Sequence, residues 1–272
     1  MTTTATTLPR DAISDRRIPF GAVKDTLAVA WRNLIAYRRV PQLLVFSTIQ
    51  PVIFVLMFRY VFGGAVRLPG SKVPYVDYLM PGVFVQTVVF GAIATAIGLA
   101  TDMKSGLMER FHSLPMARSA VLAGRTIADL TRNVFVVVLM VVVGLLVGFR
   151  IHTNVFGLLA GMLLVLLFGF AMSWIFATVG LVVGDPETAQ AAAFPVLAPL
   201  VFASSAFVSV DTMPGWLQVF AKHQPVSVTA SAVRGLVNGG PTASLVIQSV
   251  AWCVGILLVF GPIAVSRYRQ AS

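Results

Sequence analysis

The stretch GLMERFHSLPMARSAVLAGRTIADL, residues 106–130, holds six ionisable side chains: Glu109, Arg110, His112, Arg118, Arg125 and Asp129. Mixed signs over so short a run suit ion pairs and charge-assisted hydrogen bonds to another protein. They do not make a reaction centre. The other chemically capable residues are scattered: His112, His152 and His223 fall on different segments, and Cys253 stands alone in an apolar run. Neither a metal cluster nor an intrachain disulfide has its residues. PGSKVP has a glycine and a lysine but lacks the spacing and the following helix of a phosphate loop. No G-x-S-x-G elbow occurs. The sequence therefore predicts no catalytic residue, no metal and no cofactor bound by this chain.

The elements that must position these side chains are hydrocarbon. Of 272 residues, 57% are apolar and 11% charged, and the mean hydropathy is +0.88. So few charges cannot cover a water-facing surface, so the bilayer must solvate most of the chain. Six segments approach the roughly 20 apolar residues that cross ~30 Å of hydrocarbon. They are residues 42–62, 79–100, 127–148, 155–183, 189–208 and 245–265. The predicted fold class is an all-α polytopic membrane protein with six transmembrane helices. The first apolar segment follows about forty polar and basic residues and reads as a span, not a cleaved signal. Fourteen of the twenty lysines and arginines fall on the face that carries both termini, which assigns that face to the cytoplasm. The net charge of +10 is thus a membrane-orientation signal, and no nucleic-acid partner is expected.

Three flanking elements complete the layout. Residues 1–41 form a cytoplasmic segment in which AVKDTLAVAWRNLIAYRR places Val23, Leu27, Ala30, Trp31 and Leu34 at helical spacing. This predicts a helix over about 20–39 lying among the lipid headgroups; a soluble helix packed on another subunit fits the same stripe. Residues 42–265 form a single transmembrane domain, with a cytoplasmic segment at 102–126 and an outer re-entrant helical hairpin at 209–240. In that hairpin Trp216, Leu217 and Phe220 share a face, Gln224-Pro225 breaks the helix, and Thr229, Ala232, Val233 and Leu236 form the second stripe, with Arg234 beside it. Residues 266–272 are a cytoplasmic tail. The inner connection GDPETAQ supplies a helix start: Asp185 as cap, Pro186 in the first turn, and Glu187 at the positive end.

A transporter needs an energy source. Ion-coupled carriers place carboxylates inside their spans. Here Asp129 and Arg132 lie near the start of the third span as a potential pair, and Asp77 falls just outside the second. The chain reads as a membrane machine driven from elsewhere. Residues 106–130 then admit two readings. A partner ATPase docks on Met108, Glu109, Arg110, Phe111, His112, Ser113 and Leu114, ended by Pro115, with Arg118 beyond. Alternatively, the stretch is a solvated positive-inside loop, which leaves Met108 and Phe111 exposed to water. A path through the spans is drawn by Phe46, Phe54, Phe84, Phe194 and Phe202, with Gln50 and Gln86 as sparse polar groups. Such a lining suits an amphipathic drug or a lipid; phenylalanines facing lipid or neighbouring helices fit the same positions.

LMERFHSLPMARSAVLAGRTIADLTR (107–132) resembles the signature of ABC transporter type-2 membrane subunits, especially the DrrB-like drug-resistance permeases. FVSVDTMPGWLQVFAKHQPVSVTASAVRGLVNGG (207–240) is similar to the same group in its M-P-x-W-L, Q-P-V-S and A-x-R-x-L elements. The resemblance implies a half-exporter in a bacterial plasma membrane. Two permeases, identical or paralogous, would pair with two copies of a separate ATP-binding subunit that holds ATP and Mg. It implies that residues 108–118 are the ATPase-coupling helix, that the N-terminal helix adds a contact, and that GDPETAQ forms a smaller one. Cargo in this group is an amphipathic drug, with lipids or polysaccharides among near relatives. The rival readings are an ion-coupled secondary carrier and a non-transporting anchor that recruits a cytoplasmic partner.

Overall fold

A computed structural model describes residues 26–28, 30–31, 35, 41–61, 74–106 and 118–270. All regular structure among them is helical. The helices are α1 (Pro41–Leu56), α2 (Tyr75–Lys104), α3 (Arg118–Val147), α4 (Val155–Val183), α5 (Pro186–Phe202), α6 (Gly215–His223), α7 (Pro225–Asn238) and α8 (Ala243–Gln270). A π-helical turn, Met57–Val61, ends α1, and a 3-10 turn, Val210–Thr212, follows α5.

Local chemistry sets the boundaries. Asn154 caps α4 by accepting from the Gly157 amide at 2.9 Å. At the other end Gly184 adopts φ 72°, a left-handed turn that side chains resist, and its amide returns to the Gly180 carbonyl. The next residue, Asp185, caps α5 through the Thr188 amide at 3.1 Å, with Pro186 in the first turn. The expected helix start is formed as read.

Four helices are long and apolar enough to cross a membrane: Tyr75–Lys104, Leu122–Val147, Val155–Val183 and Ala243–Tyr268. The fourth predicted segment matches α4 residue for residue. The second begins four residues earlier than read, at Tyr75, because Val76 and Leu79 extend its buried face. The third begins at Arg118, so residues 118–126, read as part of the connection, are its opening turns. The fifth is shorter than read: α5 has 17 residues, about 26 Å at a rise of ~1.5 Å per residue, and its helix stops at Phe202. Proline punctuates both shorter apolar helices, at Pro51 in α1 and at Pro195 and Pro199 in α5. Each removes a backbone donor.

The core lies between α2 and α4, where Phe84, Val88, Phe168 and Met172 are fully enclosed. Around them α2 also packs on α3, α5 and α7, while α4 carries α7 and α8 on its other side. The position of α7 departs from the expected single apolar stripe. Val226, Ser227, Val228 and Ala230 are buried as well as the expected Thr229, Ala232 and Val233, because α7 is wedged against α2, α4 and α8. Thr229 and Ser249 share a hydrogen bond of 2.7 Å that ties it to α8. Its companion α6 stays at the surface, with Trp216 77% exposed.

Candidate functional site

At the Lys104 end of the bundle, two ion pairs join three helices. Arg125 of α3 meets Asp102 of α2 at 3.2 Å. Lys104 of α2 meets Asp185, the cap of α5, at 2.7 Å. The Lys104 ammonium, then the Thr188 amide and hydroxyl, hold the Asp185 carboxyl down to a pKa of about 2. The exposed Lys104–Asp185 pair stabilises little, while the Arg125–Asp102 pair is largely covered; together they fix the register of the helix ends. Met108, Glu109, Arg110, Phe111, His112, Ser113, Leu114 and Pro115 lie outside the described residues, and so does the side chain of Arg118. The chain therefore leaves and re-enters the described bundle between the two ends that Asp102 and Arg125 join.

Of the interfacial stripe, Leu27 and Trp31 are exposed and Ala30 is buried, all with helical backbone. Val23 and Leu34 lie outside the described residues.

The residues read as a path do not come together at one place. Gln50 and Gln86 face one cleft among α1, α2 and α3. Phe54 and Phe202 meet in an aromatic cluster completed by two residues that the sequence reading left unassigned, Phe58 and Phe207. Phe58 stacks on Phe207 at 4.7 Å, with Phe54 6.1 Å and Phe202 6.3 Å from the same ring. Phe84 is 1% exposed, edge-on to Phe149, inside the core. Phe194 is exposed on α5, and the side chain of Phe46 is outside the description.

At the opposite end, the hairpin side chains hold the other helices together. Gln224 donates to the Leu200 and Ala203 carbonyls, which the end of α5 leaves open. Arg234 donates to the carbonyls of Tyr78 at 3.0 Å and Ser205 at 2.8 Å, and its guanidinium lies 3.7 Å over the Tyr78 ring. Pro225 begins α7, while Trp216 and Phe220 remain exposed on α6. A hollow of about 420 Å³ opens beside Tyr78, Arg234 and Asn238.

Two carboxylates are more deeply placed than the sequence reading had them. Asp77, read as lying outside the second span, is 1% exposed in the first turn of α2. It accepts from the Arg150 amide at 2.9 Å and meets His152 Nε2 at 2.8 Å. Asp129 is buried within α3 and accepts from Thr95 Oγ1 at 2.6 Å. A lone acid at the head of an apolar run (YVDYLMPG) and a charge within one (IADLTRNVF) are the signals that could have flagged both.

A chain whose described residues form helices, four of them apolar and of membrane length, is a multi-pass membrane protein. The chain belongs to the ABC-2 type transporter family, whose model matches residues 24–237, and it is a permease subunit. It is 39% identical over 253 residues to the daunorubicin resistance ABC transporter permease protein DrrB1 of Streptomyces coeruleorubidus, covering 92% of this chain and 88% of that one. It is 32% identical over 238 residues to the doxorubicin resistance ABC transporter permease protein DrrB of Mycobacterium tuberculosis, covering 81% and 79%. The probable doxorubicin resistance permease DrrC of the same organism is 28% identical over 251 residues, covering 92% and 90%.

Proposed function

We propose that this chain is the membrane half of an ATP-driven exporter that moves an amphipathic drug or lipid out across a bacterial plasma membrane. The observation that carries this reading is the family match across residues 24–237, together with relatives named for daunorubicin and doxorubicin resistance. Two permeases, identical or paralogous, form the pathway. Two copies of a separate ATP-binding subunit hold ATP and Mg and supply the work. The chain crosses the membrane six times, with α1 and α5 as its short spans and both termini in the cytoplasm, and α6–α7 form a re-entrant hairpin at the outer face.

Force enters through residues 108–118. Ion pairing of Asp102 with Arg125 and of Lys104 with Asp185 supports this route, because it links α2, α3 and α5 at the end where force would arrive. A push on the connection then moves helix ends as a unit. The aromatic cluster around Phe207 and the hairpin it touches lie at the far end of the same helices, where cargo would leave.

The test is reconstitution with the ATP-binding subunit in inside-out vesicles, reading ATP-dependent doxorubicin accumulation. Charge reversal by Glu109→Lys with Arg110→Glu is expected to abolish complex formation and uptake while leaving insertion intact. Uptake without any ATP-binding subunit would replace the reading with a secondary carrier. Complex formation without uptake of any amphiphile would leave a membrane anchor.

A further inference from the structure

Near the middle of α3, immediately before a valine-rich apolar run, stand Arg132 and Asn133. They are 6% and 4% exposed. An arginine at that depth is expensive unless it faces protein or a polar cavity. Arg132 does both. Its Nη2 donates to the Gly91 carbonyl of α2 at 2.6 Å and lies 3.4 Å from Asn133 Oδ1. The approach depends on glycine: a Cβ at position 91 would stand 2.9 Å from Asn133 Oδ1 and 3.1 Å from Arg132 Nη2.

Among the described residues, Arg132 is also the one charged residue lining the cleft of about 110 Å³ that Gln50 and Gln86 face. Asp129, one turn away on α3, is not part of that lining. Across the cleft Gln86 is 2% exposed, and its Oε1 has no hydrogen-bond partner among the described residues. Leaving a buried amide oxygen unpaired in hydrocarbon is costly. The cleft thus presents a cation that wants an anionic or acceptor oxygen and an acceptor that wants a hydroxyl. By the same measure of volume a water needs about 10–15 Å³. The space therefore admits a polar head of several heavy atoms and excludes a fused-ring drug. Gln50 is exposed at the edge contributed by α1, so an apolar tail can continue outward beside that helix.

We infer that this cleft binds the head of an anionic amphiphile, taking a phosphate or carboxylate oxygen on Arg132 and a hydroxyl on Gln86. The inference goes beyond the export reading: the head that this cleft takes is negative, with a hydroxyl donor, and not an ammonium, and it is distinct from the exported cargo.

The experiment is native mass spectrometry of the full-length chain in a non-ionic detergent, titrated with lysophosphatidylglycerol, lysophosphatidylcholine and dodecyltrimethylammonium of matched chain length, and with glycerol phosphate alone. Lysophosphatidylglycerol, whose head carries a net negative charge and its own hydroxyls, is expected to bind roughly tenfold or more tightly than lysophosphatidylcholine, whose phosphate is neutralised by its own ammonium, and than dodecyltrimethylammonium, which has no anion. Arg132→Gln and Gln86→Leu should each erase that preference. If Arg132→Gln fails to fold, Gln50→Trp fills the cleft from its exposed edge and should weaken lysophosphatidylglycerol alone. Equal binding of the three amphiphiles, or a preference that survives these substitutions, would overturn the site. Glycerol phosphate binding as tightly as the lipid would overturn the amphiphile in favour of a soluble anion. Because this readout needs neither ATP nor a partner, it separates two failures: a preference lost in Arg132→Gln with no export of any cargo sinks the export reading and keeps the site. Export that proceeds alongside unchanged binding does the reverse.

Discussion

Helices α2 and α8 are nearly equal in apolar character, but 67% of the most apolar stretch of α2 is buried inside the subunit against 17% for α8. Helix α2 is surrounded by α3, α4, α5 and α7; α8 rests one side on α4 and α7 and turns Ile247, Val254, Leu258 and Val259 outward. In water that difference would mark α8 as misplaced. In a bilayer it costs nothing, because lipid tails solvate leucine as well as a neighbouring helix does. What distinguishes the two helices is therefore their polar residues. Helix α2 turns Asp77, Gln86, Thr95 and the small residues Gly91 and Ala96 into the subunit. Asp77 meets the α3–α4 connection, Thr95 and Gly91 meet α3, and Ala96 meets Gly180 of α4. On α8 the enclosed polar side chains among the described residues are fewer: Ser249, on the strip that meets α7, Cys253, and Tyr268 near the far end. Packing in this subunit follows hydrogen bonds and close backbone approach more than oiliness.

The comparison can be tested in three steps of decreasing size. Phe168→Ala, in the α2–α4 core, should lower stability by about 3–5 kcal/mol, measured by reversible unfolding in mixed micelles. Asp77→Ala strips the Arg150 amide and His152 of their acceptor at the head of α2. It should cost about 1–3 kcal/mol by the same assay. Leu258→Ala, at a position 70% exposed on α8, should change stability by less than about 0.5 kcal/mol. A loss at Leu258 comparable to that at Phe168 would break the comparison, since the outward face of α8 would then be covered by protein and not by lipid.

Much of this was legible in the chain. The limits of α4 could be read directly, because Asn154 and Gly184-Asp185 are strong punctuation at both ends of an uninterrupted apolar run. The hairpin break at Gln224-Pro225 was equally plain. Other features were not. Gln224 looked like part of a breaker, and only the fold brings it to the open carbonyls of α5. Phe207 gave no signal apart from other phenylalanines, since its role is to stand where Phe54, Phe58 and Phe202 converge. Arg132 was visible as a charge near the start of a span, where pairing with Asp129 would explain it. That it reaches Gly91 and lines a cleft with Gln86 depends on the register of α3 against α2.

Composition and hydropathy by themselves determined that this is a membrane protein and that its regular structure is helical. Those conclusions rest on sums over many residues, and a bilayer responds to such sums. Which apolar helices are enclosed, which carboxylates are buried, and where a cation meets an unpaired amide were decided only in the tertiary structure. The physical reason is that hydrocarbon does not discriminate between helix faces, so the few polar groups and glycines fix the packing, and their partners lie tens of residues away along the chain.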